Sequence, residues 1–170
     1  MGILKELFTT KKFIETEPGM IYNPVQGVYV PLEQIPDPVF SKGVLGKGCG
    51  IEPAEERIYA PFNGTVSLVP KTRHAVGVTS DDGIELLIHV GMDTVEMNGA
   101  GFIPKVTVGQ KVKCGDILLD FDKEAIQAAG HAAVIVIVVM NTREFADVLP
   151  VNSGAIERSA PLLKVTFAKD

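Results

Sequence analysis

The sequence predicts an all-β fold, a sandwich or barrel of antiparallel strands with short helical turns. Short Val-, Ile- and Leu-rich runs recur between turn signals, and 17 Gly and 11 Pro among 170 residues supply those turns. Apolar spacing of the helical kind is scarce, and a chain of this length with 46% hydrophobic residues suits one domain with a sizeable core.

Residues 1–19 read as an N-terminal tail and residues 20–170 as the domain. In the tail, Ile3, Leu4, Leu7 and Phe8 fall at helical spacing among Lys5, Lys11 and Lys12. That pattern suits either an amphipathic contact with anionic lipid or a solvated tail. Glu6 stands where a myristoylation signal has Ser or Thr, so no acyl anchor is expected. The segment Ile21-Tyr22-Asn23-Pro24-Val25-Gln26-Gly27 is echoed by Ile58-Tyr59-Ala60-Pro61-Phe62-Asn63-Gly64, which predicts two related β-units packed together. In each copy the Pro breaks a ladder and the Gly permits a turn into a new strand, 28–31 in the first and 65–69 in the second. Further strands are predicted at 75–79, 84–90, 111–113, 117–121, 134–139 and 162–167, with short helices at 123–129 and 142–147. The stretch 108–116 carries Gly109 and Gly115 and reads as a hairpin and turn.

His74 and His89 flank the turn Ser80-Asp81-Asp82-Gly83. A four-residue loop would set the two histidines directly opposite each other, and a two-residue loop would make them diagonal neighbours on one face. A three-residue loop would send them to opposite faces. Ile84, Leu86, Ile88 and Val90 form the core side of the second strand, so Glu85, Leu87 and His89 face outward or into a shallow site. An imidazole acts as a covalent nucleophile when one nitrogen attacks and a hydrogen bond to the other fixes the tautomer. A neighbouring imidazole then stabilises the transferred oxygens. The Thr72 hydroxyl is placed to fix the tautomer of His74, and Asp93 to orient a ring or attract a basic partner. His131 follows Gly130 in a loop and is expected to be solvent-exposed without a companion.

Net charge of -5 argues against a nucleic-acid binder. Cys49 and Cys114 lack metal-ligand spacing and read as small buried residues. No run reaches the roughly 18 apolar residues of a membrane span. No signal-peptide pattern opens the chain either, and a cytoplasmic protein, possible at the inner membrane face, is expected. Met1 and the distinct tail favour a free-standing form, and a monomer is expected.

The segment Gly83-x-x-Leu86-Leu87-Ile88-His89-Val90-Gly91-Met92-x-Thr94-Val95 resembles the signature around the phosphorylated histidine of the glucose-type IIA proteins of the bacterial phosphoenolpyruvate-dependent sugar phosphotransferase system. The resemblance extends over about residues 20–168 through Ile35-Pro36-Asp37-Pro38-Val39-Phe40, Ala60-Pro61-x-x-Gly64, Thr72-x-His74-Ala75, Gly99-x-Gly101-Phe102 and Val112-x-x-Gly115-Asp116. It implies a cofactor-independent phosphocarrier that takes a phosphoryl group from HPr and passes it to the IIB domain of a membrane sugar transporter. By the same resemblance, His89 is the phosphoacceptor, His74 assists with Thr72 bonded to it, and Asp93 and Asp37 lie near the partner-binding rim. Val39, Phe40, Val44 and Leu45 would form an apolar patch around the site, beside the outward Leu87. Some relatives bind regulatory targets, and in some a zinc ion joins the two histidines to a partner's carboxylate. Lys47, Cys49 and Pro70 depart from the family pattern.

Two other chemistries fit less well. A zinc hydrolase needs a third protein ligand, and the chain has no His-x-His. A biotinyl or lipoyl carrier needs a lysine at an exposed hairpin tip, and the stretch 108–116 offers no such turn.

Overall fold

The computed structural model describes residues 14–168, so the apolar and basic tail residues Ile3 to Lys12 lie outside the described residues. The strands in chain order are β1 (Met20–Tyr22), β2 (Gly27–Pro31), β3 (Lys47–Pro53), β4 (Arg57–Tyr59), β5 (Gly64–Leu68), β6 (Ala75–Ser80) and β7 (Glu85–Val90). They continue as β8 (Phe102–Pro104), β9 (Lys111–Val112), β10 (Ile117–Phe121), β11 (Ile135–Val139), β12 (Phe145–Pro150), β13 (Ala155–Ile156) and β14 (Pro161–Phe167). Among the described residues there are also two short α-helices, α1 (Pro38–Ser41) and α2 (Lys123–Ala128), and a few 3₁₀ turns.

All strand pairs among the described residues are antiparallel, as the sequence predicts. The large sheet runs β13-β2-β3-β11-β7-β6-β5-β9, and two three-stranded sheets run β1-β14-β12 and β4-β10-β8. The order is the same from either end once β13 is exchanged with β9, β2 with β5, β3 with β6 and β11 with β7. This pseudo-twofold is the structural counterpart of the echo in the sequence. The echoed segments bond reciprocally: the Tyr22 N–H donates to the Pro61 carbonyl and the Tyr59 N–H to the Pro24 carbonyl, both at 2.9 Å.

Ile84, Leu86, Ile88 and Val90 are buried in the main core with Ile21, Ile58, Ile137 and Leu118. The opposite face of the large sheet carries a second cluster of Ile35, Phe40, Met92, Val134, Val136 and Val138. Strand β11 lies between the two clusters and is buried on both faces, which is why its sequence is an unbroken apolar run. Gly50 makes the second cluster possible, because a Cβ there would sit 2.5 Å from Ile35 Cδ1. The bare backbone lets the connection between β2 and β3 lie on the sheet.

The region 142–147 is not the predicted helix. Thr142–Glu144 is one 3₁₀ turn, and the chain then extends into β12, where Phe145 packs edge-on against Phe167 with ring centroids 5.7 Å apart. Pairing with β14 outweighs a weak local helical tendency.

Candidate functional site

The turn between β6 and β7 has three loop residues, Asp81 to Gly83, not four or two. Ser80 belongs to the strand: its N–H donates to the Ile84 carbonyl, and its hydroxyl accepts from the Ile84 N–H at 2.8 Å. Ala75 therefore pairs with His89, and strict alternation would turn His74 to the core. It does not, because regular β6 begins at Ala75. Before it, Arg73 donates its N–H to the Pro70 carbonyl and adopts a left-handed φ of 61°. The chain bends at His74, whose carbonyl still accepts from the Val90 N–H. The imidazole swings beside Ala75, whose single methyl leaves space next to His89.

The two rings consequently meet edge to face, with centroids 4.7 Å apart and planes at 83°. Phe40 approaches His89 with centroids 5.1 Å apart at 60°. His74 is buried and His89 half-buried. Nδ1 of each ring is buried without a hydrogen-bond partner, and Nε2 of neither belongs to that class. Burial, reinforced by the neighbouring His74, pushes His89 down to about 4. The Gly91 backbone, Asp37 and Asp93 oppose that shift, Gly91 without completing a hydrogen bond to Nδ1. Burial also lowers His74, partly offset by the backbone of Thr72. Among the described hydrogen bonds none joins the Thr72 hydroxyl to His74.

Gly91 ends β7 with a φ of 78°, and a Cβ there would lie 2.5 Å from Thr94 Cγ2 and 3.1 Å from the Ala132 carbonyl oxygen. Thr94 is wholly buried and donates its hydroxyl to the Val90 carbonyl at 2.6 Å. This packing makes the turn after His89 rigid. Asp93 follows in the left-handed region and is exposed. Asp37 caps α1 by accepting from the Val39 N–H at 2.9 Å.

The predicted apolar rim divides. Val39 and Val44 are exposed, Leu45 and Leu87 are partly buried, and Phe40 is 5% exposed and belongs to the cluster beneath the site. Lys47 leaves the site altogether, with its ammonium 3.3 Å from Asp147 on β12. Pro70 supplies the carbonyl of the turn that precedes His74. Cys49 and Cys114 are buried, as read from sequence, and burial pushes both thiols up to about 12. His131 is not the exposed residue expected: its side chain is largely buried, with Nε2 4.0 Å from a Glu96 carboxylate oxygen. Two imidazoles fall short of a tetrahedral zinc set, and no cluster of three or more metal-ligating side chains occurs among the described residues. A zinc ion would need a carboxylate from elsewhere.

Residues 19–145 match the model of the family described as phosphoenolpyruvate-dependent sugar phosphotransferase system, EIIA 1. The chain is 46% identical over 145 residues to the PTS system beta-glucoside-specific EIIBCA component of Dickeya chrysanthemi, covering 85% of this chain and 23% of that protein. Identity to the component of the same name in Bacillus subtilis (strain 168) is 44% over 126 residues, covering 74% and 21%. With the PTS system glucose-specific EIIBCA component of Corynebacterium glutamicum it is 39% over 149 residues, covering 88% and 22%. The chain spans about a fifth to a quarter of the length of these relatives. Among solved structures, the glucose permease IIA from Mycoplasma capricolum superposes with a TM-score of 0.74 at 27% identity, covering 90% of this chain and 98% of that one.

Proposed function

The chain belongs to the EIIA 1 family of the phosphoenolpyruvate-dependent sugar phosphotransferase system, and we propose on that premise that it carries a phosphoryl group on His89. The donor is the phosphohistidine of HPr and the recipient is the IIB domain of a sugar transporter. The relatives' name, EIIBCA, joins the letters B, C and A in one component and supports a IIB recipient. Residues 20–170 are the carrier domain and residues 1–19 a tail. The protein acts in the cytoplasm beside the membrane; no helix among the described residues is long and apolar enough to cross it.

The observation that carries this reading is the pair of imidazoles in edge contact, each with a buried Nδ1. With His89 pushed down to about 4, the ring is neutral near pH 7 and offers a lone pair without prior deprotonation. Nε2 attacks phosphorus in line, a P–N bond forms there as the P–N bond of the donor breaks, and the donor ring leaves with its electron pair. His74 donates toward the phosphoryl oxygens, and Asp93 and Asp37 steer a basic partner. Exposed Val39 and Val44 supply apolar contact. Positioning and charge stabilisation suffice, because donor and product are both phosphohistidines.

Intact mass is measured at neutral or alkaline pH after incubation with phosphoenolpyruvate, Enzyme I and HPr. The wild type should gain one acid-labile phosphoryl group, and His89→Ala none. Labile phosphate on His89→Ala would remove the assignment, and unchanged transfer from His74→Ala to a cognate IIB domain would remove the assisting role.

A further inference from the structure

We propose that Arg73 is a positioning residue for phosphoryl transfer: its left-handed backbone, not its charge, sets the His74 imidazole against His89. The proposal rests on the reading of His89 as the acceptor and His74 as its assistant. Ala75 pairs with His89, so a strand running unchanged through residues 73 and 74 would turn His74 to the side of Val90, in the main core. The imidazole instead stands with its centroid 4.7 Å from that of His89. What separates the two outcomes is one residue with a φ of 61°. Asp93 and Asn98 also lie in the left-handed region, but their short polar side chains accept it readily. Arginine has no such tolerance, and a strained backbone next to a site histidine is where strain serves a purpose.

The conformation is held from both sides. The Arg73 N–H donates to the Pro70 carbonyl at 2.9 Å, closing the turn that follows β5, and the His74 carbonyl takes the Val90 N–H at 2.8 Å, returning the chain to β7. The Arg73 stem lies over Gly99, where a Cβ would stand 3.4 Å from Cδ and 3.7 Å from Nε. Arg73 is exposed, and its guanidinium takes part in none of the ion pairs among the described residues. Its charge therefore does not hold the turn. What a replacement does here depends on how well it tolerates the left-handed region, a property that elsewhere on the surface would not matter.

Transfer from the phosphorylated protein to a cognate IIB domain is followed at pH 7 over a range of IIB concentrations. Arg73→Val, whose branched Cβ resists the left-handed region, should lower the maximal rate roughly tenfold with KM for IIB unchanged. Arg73→Gly keeps the backbone and discards the side chain, and should transfer within about twofold of the wild type. In a His74→Ala background Arg73→Val should cause no further loss, because the residue acts through His74. On the unphosphorylated protein, the NOE between the ring protons of His74 and His89 should be present in the wild type and Arg73→Gly and weakened in Arg73→Val. Equal losses in Arg73→Gly and Arg73→Val would give the role to the guanidinium and overturn the proposal. A full rate in Arg73→Val, or a further loss without His74, would overturn it as well. If Arg73→Val does not fold, Arg73→Thr is put through the same readouts with the same expectations. Failure of the wild type to accept phosphate would refute the acceptor reading, while the NOE would still decide whether Arg73 sets the pair.

Discussion

Stability of this protein should fall in acid through His89, and the size of the effect follows from the burial of the ring. Folded, His89 is pushed from 6.5 to about 4, chiefly by desolvation and then by His74. Well above pH 6.5 the ring is neutral in both folded and unfolded chains and contributes no pH dependence. Between pH 6.5 and 4 the unfolded chain binds a proton that the folded chain refuses, so stability is lost as pH falls through that window. The slope reaches about 1.4 kcal/mol per pH unit, and the whole loss is about 3 kcal/mol by pH 4. Urea unfolding of wild type and His89→Gln at several pH values from 7.5 to about 4 isolates the term, because other titrating groups act on both proteins. The stability difference between them should be flat above pH 7 and then move by about 3 kcal/mol in favour of the variant. Parallel curves across the window would mean that His89 takes its proton as readily in the fold as in the open chain. The desolvated site, and with it the argument for a neutral nucleophile, would be refuted.

Two further outcomes test the supports of the site. Gly91→Ala combines a left-handed φ with a Cβ 2.5 Å from Thr94 Cγ2, and should cost about 2 to 4 kcal/mol in urea unfolding. A loss under about 0.5 kcal/mol would show that the turn has room to rearrange. Asp37→Ala removes the cap of α1 and should cost about 1 kcal/mol, with Asp37→Asn retaining most of it. Equal losses for the two variants would mean that the carboxylate's charge, not its bond to Val39, is what matters.

The strands most legible in the sequence were those whose two faces differ in burial or share it completely. β7 alternates and β11 is apolar throughout, and both lie within a residue or two of their predicted bounds. β3 was illegible because Lys-Gly-Cys-Gly-Ile-Glu-Pro has no alternation; its glycines sit on the face where the connection from β2 packs. The histidine pair was legible as a pair, but not for the geometrical reason that suggested it. Ser80 looks like a turn residue and behaves as a strand residue, because its hydroxyl bonds Ile84 in the place of a second backbone pair. The resulting register would have separated the histidines, and Arg73 restores them by a left-handed backbone that an arginine gives no sequence signal for. Phe40 could be read as apolar and near the site; that it faces inward depends on packing against Met92 and Val136, remote in sequence.

The pseudo-twofold shows why the site occupies only one half of the sheet. Gly27 pairs with Pro53 as Gly64 pairs with Ser80. Continuing both registers through the next strands places Val138 where the other half has His89, and Lys47 where it has His74. The scaffold is therefore duplicated and the chemistry is not. The halves differ in the connection over this face. Between β2 and β3 it is long enough to carry α1 and to seat Ile35 and Phe40 over Val136 and Val138, which are wholly buried. Between β5 and β6 it is a short turn that reaches no further than His74. The longer connection closes one half and ends against the edge of the other, where Phe40 meets His89. A nucleophile at Val138 would be sealed from any partner, and one further toward β5 would lack the aromatic wall that desolvates it. His89 stands at the boundary, dry on the side of Phe40 and open at the other, and the phosphoacceptor proposed above, neutral at pH 7 yet reachable by a second protein, requires both conditions.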